Sequence, residues 1–146
     1  MAEPLAVLLR LQRQTVDDVQ RSLIRSVEEW DLAVAASKAI ARLIASETET
    51  AIRTDDDAMV ATFMTWLAHA RNDLARAEAA ESAAEAEVGR NKVNLAAVRA
   101  SAEAIEAEVR RVETKKCQAA ATRLQDALDD AGLWSHRERV IAGKAY

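Results

Sequence analysis

The sequence is poor in residues that end helices and in large aromatic side chains. Its 146 residues include one proline, three glycines and one cysteine, and aromatics make up only 3%. A globular core of this size needs more large side chains, so a compact domain with a deep interior is not expected. The single cysteine, Cys117, excludes an internal disulfide and suits a reducing compartment; we expect it to be a small buried hydrophobe.

Excess charge and long apolar runs are also scarce. The formal net charge of −4 argues against indiscriminate nucleic-acid binding, although it permits a local basic patch. No stretch approaches the roughly 20 apolar residues that a membrane-spanning helix needs. The first residues lack the positive charge and the apolar run of a signal peptide. We therefore expect a soluble, cytoplasmic protein.

Helix formers fill the chain, and one long stretch shows a heptad repeat. Alanine, glutamate, leucine and arginine predominate, which is typical of long helices and coiled coils. Between Val60 and Val112, apolar residues recur in alternating steps of three and four, which only a partner helix can cover. All members of this seam except Glu81 and Asn91 are apolar: Val60, Phe63, Leu67, Ala70, Leu74, Ala77, Glu81, Ala84, Val88, Asn91, Leu95, Val98, Ala102, Ile105, Val109 and Val112. Glu81 either fixes the helix register or marks a place where the partner stripe leaves the seam.

A second apolar stripe precedes this seam, and a cluster of capping residues separates the two. The first stripe repeats every seven residues through Leu9, Val16, Leu23, Trp30, Ser37, Ile44 and Ala51. Thr54-Asp55-Asp56-Asp57 suits the positive end of a new helix rather than the middle of one. The prediction is an all-α, long two-helix antiparallel coiled-coil hairpin whose second helix is the longer. The alternative is one continuous helix of about 125 residues, paired with another chain.

The boundaries follow from these signals. A single coiled-coil domain, 1–146, is predicted, with a helix over about 5–53, a turn over about 54–57 and a helix over about 58–131. Gly132 would cap the second helix, which leaves 132–146 as a frayed or weakly helical tail. In such a hairpin Leu5 should face the neighbourhood of Glu106, and residues after about Val109 should have no partner helix.

Two surfaces are candidate binding sites. The unpaired end of the second helix is basic (Arg110, Arg111, Lys115, Lys116, Arg123), and Arg10 and Arg13 are predicted beside it. This end is predicted either to bind an acidic surface or to be an ordinary solvated helix face. Near the turn, Phe63 and Leu67 occupy the seam and Trp66 lies beside it. Trp66 is predicted either to be a partly exposed partner anchor or to lie flat over Ile44 and Met59.

The sequence contains no catalytic signature. His69 and His136 are far apart, and three isolated glycines cannot form a phosphate-binding loop. A two-helix structure also offers no deep pocket for catalysis. The expectation is a protein that is not an enzyme and has no cofactor and no bound metal.

The chain resembles the FliJ-type proteins of the bacterial flagellar export apparatus over nearly its whole length. The similarity rests on its size, the unequal hairpin and three sequence stretches. These are Pro4-Leu5…Leu8-Leu9-Arg10-Leu11, then Phe63-Met64-Thr65-Trp66-Leu67 followed by Ala70, and Gln125…Leu128-Asp129-Asp130-Ala131. The alanine-rich seam around Ala77–Ala84 departs from the family pattern.

The resemblance implies a non-catalytic stalk or escort component of the flagellar export apparatus. That apparatus is a type III secretion system that serves flagellum biogenesis and motility. Its partners would be the export ATPase hexamer, the cytoplasmic domain of the export gate, and export chaperones, with no nucleic acid. The protein would be cytoplasmic and peripheral to the inner membrane only through those partners. The gate-like surface would comprise Phe63, Trp66, Leu67 and Ala70, and the ATPase-like surface Arg10, Arg13, Arg110, Arg111, Lys115, Lys116 and Arg123.

Alternative functions stay open at this point. One is the equivalent stalk of a virulence-type type III secretion system, and another is a generic coiled-coil scaffold or spacer. A third is a nucleic-acid or anionic-membrane binder that uses the same basic end. The net charge and the lack of aromatics interleaved with Lys and Arg count against the third.

Overall fold

The protein is an all-α helical hairpin. The computed structural model describes residues 2–144, with side chains from residue 3 onward. Helix α1 runs over Ala2–Ile52 and helix α2 over Asp57–Gly143, and the two pack against each other. The second helix is the longer, at 87 residues against 51, which confirms the predicted fold class.

A short turn over 53–56 joins the helices without a glycine. The carboxylate of Asp56 accepts a hydrogen bond from the Ala58 backbone N–H at 2.9 Å and so caps the first turn of α2. At the end of α1, the Thr54 hydroxyl donates to the Thr50 carbonyl at 3.0 Å. The predicted turn at 54–57 is therefore confirmed to within one residue, and the continuous-helix alternative is wrong.

The residues group into two compact units, each containing a segment of both helices. The turn unit comprises Arg13–Ala100, and the terminal unit comprises the residues up to Gln12 together with those from Ser101 onward. In the terminal unit, Leu5 of α1 lines a depression with Val109 and Val112 of α2. In the turn unit, the interhelical contact includes a hydrogen bond between Ser37 and Glu81. The single-domain organisation stays a prediction.

The predicted seams form the contact between the helices. Every predicted seam residue of α2 is buried or half-buried except Val60, which is 39% exposed. Every member of the α1 stripe from Leu9 to Ala51 is also buried or half-buried. The deepest apolar side chains are Leu67, Ala70, Val88 and Leu95, at 5–8% exposure. A two-helix structure buries few residues fully, because each helix covers only one stripe of the other.

The register differs from the predicted one. The register that places Leu5 opposite Glu106 would place Ser37 opposite residue 74, yet Ser37 bonds Glu81, one heptad further along α2. Leu5 lines a depression with Val109 and Val112, one to two turns beyond Glu106, whose neighbourhood it was predicted to face. As a result the last half-buried residue of α2 is Val112, and all described residues from 113 to 144 are exposed. The unpaired segment thus begins near residue 113, slightly later than the predicted 110.

The predicted end of the second helix is wrong. Helix α2 continues through Gly132 to Gly143, and no described glycine has a positive φ. Gly132 costs a helix interior only about 1 kcal/mol relative to alanine. The Ser135 hydroxyl donates to the Gly132 carbonyl at 3.0 Å, as serine often does inside a helix. The predicted tail is therefore helical over 132–143, and residues 145–146 lie outside the described part.

Candidate partner-binding site

A groove of about 500 Å³ lies in the turn unit, lined by both helices. Its walls are mainly apolar and include two polar residues, Glu47 and Thr62. The lining residues are Leu43, Glu47, Ala58, Met59, Thr62, Phe63 and Trp66. Leu43 and Met59 are exposed at 52% and 59%. Exposed apolar side chains gathered in one groove make it a candidate interaction site.

Helix periodicity explains how the groove forms. Met59, Phe63 and Trp66 are spaced four and three residues apart, so they share one face of α2 beside the buried seam. The rings of Phe63 and Trp66 contact each other at a centroid distance of 5.7 Å and an interplanar angle of 32°. Both residues are half-buried. Trp66 is therefore held in place by Phe63 while part of its indole remains open to a partner.

Two residues predicted for this surface belong to the core instead. Leu67 and Ala70 are only 7% and 8% exposed. They lie on the seam face of α2, where α1 covers them. Neither can contact a partner directly, so the assignment of these two residues to a binding surface is wrong. Phe63 and Trp66 remain candidates, and the groove adds Leu43 and Met59, which sequence reasoning missed.

The electrostatics around the groove are acidic. Glu47 lines it, Asp55 and Asp56 lie in the adjoining turn, with Asp56 engaged as the helix cap, and Asp57 begins α2. Arg53, close to the turn, forms an ion pair with Glu49 at 2.6 Å. The surroundings therefore favour a partner whose apolar side chains are flanked by basic ones.

The basic candidates are all exposed, and they divide between the two units. Arg13 belongs to the turn unit. The terminal unit holds the remainder: Arg10, Arg110, Arg111, Lys115, Lys116 and Arg123. Arg111 donates two hydrogen bonds to the Glu108 carboxylate, at 2.6 and 2.8 Å. Its charge is therefore already compensated, which weakens its assignment as a partner-binding cation.

The terminal unit also carries an apolar stripe that sequence reasoning did not single out. Pro4, Val7, Leu8 and Leu11 line a shallow depression on α1. Val7, Leu8 and Leu11 are between 43% and 53% exposed. Their spacing of three and four residues places them on one helix face, separate from the half-buried Leu5 and Leu9. The sequence contained a signal for this stripe, because the first turns of α1 have apolar residues on two faces of the helix.

Two further predictions concern the burial of Cys117 and of Trp30. Cys117 is exposed, so its assignment as a buried hydrophobe is wrong: α1 does not reach far enough along α2 to cover it. Trp30 lies in the seam, as predicted, and its indole Nε1 has no hydrogen-bond partner among the described residues.

Over residues 2–144, no group of His, Cys, Asp and Glu side chains could hold a metal ion. Nor is any described helix long and apolar enough to cross a membrane.

The chain thus presents two exposed surfaces that could bind partners. The groove near Trp66 combines aromatic and aliphatic side chains with an acidic border. The terminal unit combines exposed cations with the stripe formed by Val7, Leu8 and Leu11. Comparison with known proteins finds no protein-family model, no curated protein and no solved structure that matches this chain.

Proposed function

We propose that this protein is a non-catalytic stalk of the FliJ type, which couples an export ATPase hexamer to the export gate and to export chaperones. The observation that carries the proposal is the unequal hairpin with an exposed apolar surface in each unit, the groove at Trp66 and the stripe of Val7, Leu8 and Leu11. Helix α2 is 87 residues long against 51 for α1, and its residues 113–143 are exposed. A connecting protein needs two separate contact surfaces, and this arrangement supplies them.

The terminal unit supports binding to the ATPase. Its cations, Arg10, Arg110, Lys115 and Lys116, are exposed and suit an acidic lining. The apolar stripe of Val7, Leu8 and Leu11 would supply the desolvated part of the contact. Charges of one sign accelerate and orient the encounter, whereas apolar groups supply most of the binding free energy.

The turn unit supports binding to the gate or to a chaperone. Trp66 and Phe63 form a preformed aromatic pair, and aromatic anchors of this kind are common interface hot spots. The groove beside them has a volume of about 500 Å³, large enough for apolar side chains from a partner helix. On this proposal the protein acts in the cytoplasm and reaches the inner membrane only through its partners.

The experiment measures binding to the purified ATPase hexamer at several salt concentrations. The test variant reverses Arg110, Lys115 and Lys116 to glutamate, and the matched control reverses three exposed cations of the turn unit, Lys38, Arg71 and Lys92. The test variant should bind at least about tenfold more weakly at low salt, which corresponds to 1.4 kcal/mol, and its affinity should depend less on salt. The control should bind as the unaltered protein does.

Equal binding by the test variant and the control would exclude the electrostatic role of the terminal unit. Retention of nucleic acid or anionic liposomes at about 0.15 M salt would favour the alternative of an anion-binding protein. Binding to the ATPase of a virulence-type system, and not to a flagellar one, would favour the stalk of that system. Failure to bind any ATPase would leave the generic spacer.

A further inference from the structure

We propose that the groove beside Trp66 binds an amphipathic helix of a partner protein, and that lysine or arginine residues border the apolar stripe of that helix. The inference deepens the proposed function, on which it rests for the choice of this surface. The proposed function leaves open what kind of segment enters the groove. The rows of side chains that form its walls, together with the charges around it, answer that question.

The walls of the groove suit a third helix. Leu43 and Glu47 of α1 are four residues apart, and Met59, Phe63 and Trp66 of α2 are spaced four and three residues apart, so each wall is a row of side chains along a helix. The row from Met59 to Trp66 extends about 10 Å at roughly 1.5 Å per residue, which matches two turns of a docked helix. Amphipathic helices bind such grooves through apolar anchors three, four and seven residues apart.

An extended segment is a poorer occupant because of its backbone. The backbone groups behind Leu43, Phe63 and Trp66 are already engaged in hydrogen bonds within α1 and α2. The groove therefore offers no row of free backbone groups like the edge of a sheet, from which bound extended peptides gain much of their affinity. A helix satisfies its own backbone hydrogen bonds and needs only side-chain contacts from the groove.

The apolar side chains of the groove can accept anchors of different shapes. Met59 is 59% exposed and Leu43 is 52% exposed. The methionine side chain is flexible and polarisable, so it adapts to the groups that pack against it. Phe63 and Trp66, whose ring centroids are 5.7 Å apart, add a larger and more rigid surface. A docked apolar stripe would remove these groups from water, which favours association.

Charge favours a basic helix over an acidic one. Glu47 lines the groove, and none of the described residues that line it is a cation. Asp57 is exposed and directly precedes Ala58 and Met59 of the lining. Exposed acids at the border attract lysine and arginine beside the apolar stripe of a partner helix and repel aspartate and glutamate.

The nearby cations lie on other helix faces. Each of three exposed cations is separated from a lining residue by five positions, about 140° around the helix axis at 3.6 residues per turn. They are Lys38, Arg42 and Arg71. Arg53 is already paired with Glu49. The acids at the groove are therefore left to meet the cations of a partner.

The first test measures binding of a synthetic helix to the full chain by fluorescence anisotropy. The probe is a labelled peptide of about 18 leucine and lysine residues, long enough to form a helix, with leucine in steps of three and four. One comparison peptide has glutamate in place of lysine, and another has the same composition with leucine and lysine alternating, which favours a strand. The leucine–lysine helix should bind at least about tenfold more tightly than either.

Three results of this test would overturn the proposal. The first is no binding of the leucine–lysine helix up to about 100 μM. The second is equal binding of the glutamate peptide, which would exclude the role of charge. The third is equal binding of the alternating peptide, which would exclude a helix as the occupant.

The second test locates the bound helix with matched variants. Met59→Lys should weaken binding of the leucine–lysine helix at least about tenfold, because it replaces an apolar contact by a like charge. The control is Met64→Lys, since Met64 is 57% exposed but lies on the other flank of α2. Circular dichroism should show equal helix content in both variants. Equal weakening by both would overturn the proposal.

A charge reversal tests the acidic border. Glu47→Lys should weaken binding of the leucine–lysine helix and strengthen binding of the glutamate peptide. Glu49→Lys makes the same change in net charge on another face of α1 and should alter both affinities much less. If Glu47→Lys and Glu49→Lys have the same effect, the contact does not lie at this groove and the proposal is wrong.

The remaining outcomes separate this inference from the proposed function. Binding of the ATPase hexamer without binding of the leucine–lysine helix would overturn the inference and leave the stalk. Binding of the helix without binding of any ATPase would support the inference and count against the stalk. Self-association of the free protein that Met59→Lys abolishes would identify a second copy as the occupant and overturn the inference.

Discussion

The Ser37 hydroxyl donates a hydrogen bond to the Glu81 carboxylate across the two helices of the turn unit, at an Oγ–Oε2 distance of 2.5 Å. Ser37 is only 6% exposed, and Glu81 is a half-buried member of the α2 seam. The Ser37 Oγ also lies 3.1 Å from the Val34 carbonyl, but an ionised carboxylate is the stronger acceptor. Glu81 therefore lies in the helix contact and does not mark a departure from it.

The first prediction concerns this pair. Ser37→Ala should lower the free energy of unfolding by about 1–2 kcal/mol, because it leaves a half-buried carboxylate without its partner. Replacing both residues by apolar ones, Ser37→Ala with Glu81→Leu, should restore most of that loss, since no polar group is then left unpaired. Chemical denaturation monitored by circular dichroism measures both. A double variant less stable than Ser37→Ala would contradict the account.

The second prediction separates binding from stability at the groove. Trp66→Ala should weaken binding to the gate-like partner by at least about 2 kcal/mol, as for an interface hot spot. It should destabilise the free protein less than Leu67→Ala does, because Trp66 is half-buried and Leu67 is 7% exposed. Calorimetric titration and denaturation measure the two effects.

The control for Trp66 is Met64→Ala. Met64 is 57% exposed and lies on the other flank of α2, so its removal should leave binding unchanged. Should Trp66→Ala unfold the protein as readily as Leu67→Ala while binding persists, Trp66 would be part of the core and the groove would not be the site.

The third prediction compares two leucines in different surroundings. Leu95→Ala should cost about 2 kcal/mol of unfolding free energy, near the lower end for buried leucines, because the contact is only two helices thick. Leu133→Ala should change it by less than about 0.5 kcal/mol, since surface substitutions rarely exceed that. Leu95 is 7% exposed and Leu133 is 64% exposed. Equal losses would mean that Leu133 packs against part of the chain.

The fourth prediction concerns pH. The hydrogen bonds from Arg111, and secondarily its charge and that of Lys115, hold the pKa of Glu108 below its ordinary value, while partial desolvation opposes this. The same pairing raises the pKa of Arg111. Because the pKa of Glu108 is depressed in the folded protein, its stabilising contribution is complete above the ordinary glutamate pKa of about 4.3 and is lost as pH falls through the lower folded-state value.

NMR titration of the Glu108 side-chain carboxyl carbon measures this shift. The midpoint should lie below that of an unperturbed glutamate, and Arg111→Gln should raise it toward the ordinary range. A Glu108 midpoint that does not respond to Arg111→Gln would contradict the ion pair.

Much of the fold could be predicted because it depends on local periodicity. The seam from Phe63 to Val112 and the stripe from Leu9 to Ala51 are recognisable by their spacing, since only one face of each helix can be covered. The cap at Asp56 follows from side-chain chemistry alone.

The candidate surfaces were predicted less well. Trp66 was located correctly beside the seam, but Leu67 and Ala70 are buried, and the apolar groups at Leu43 and Leu8 were missed.

The sequence by itself determined that two long helices would pair, where the turn would lie, and that the second helix would be longer. Only the tertiary structure decided the register, because an apolar heptad seam looks the same after a shift of seven residues. The bond from Ser37 to Glu81 distinguishes one register from the others, and it joins residues far apart in the chain. The same register leaves Cys117 exposed and shows which side chains of α2 remain open to a partner.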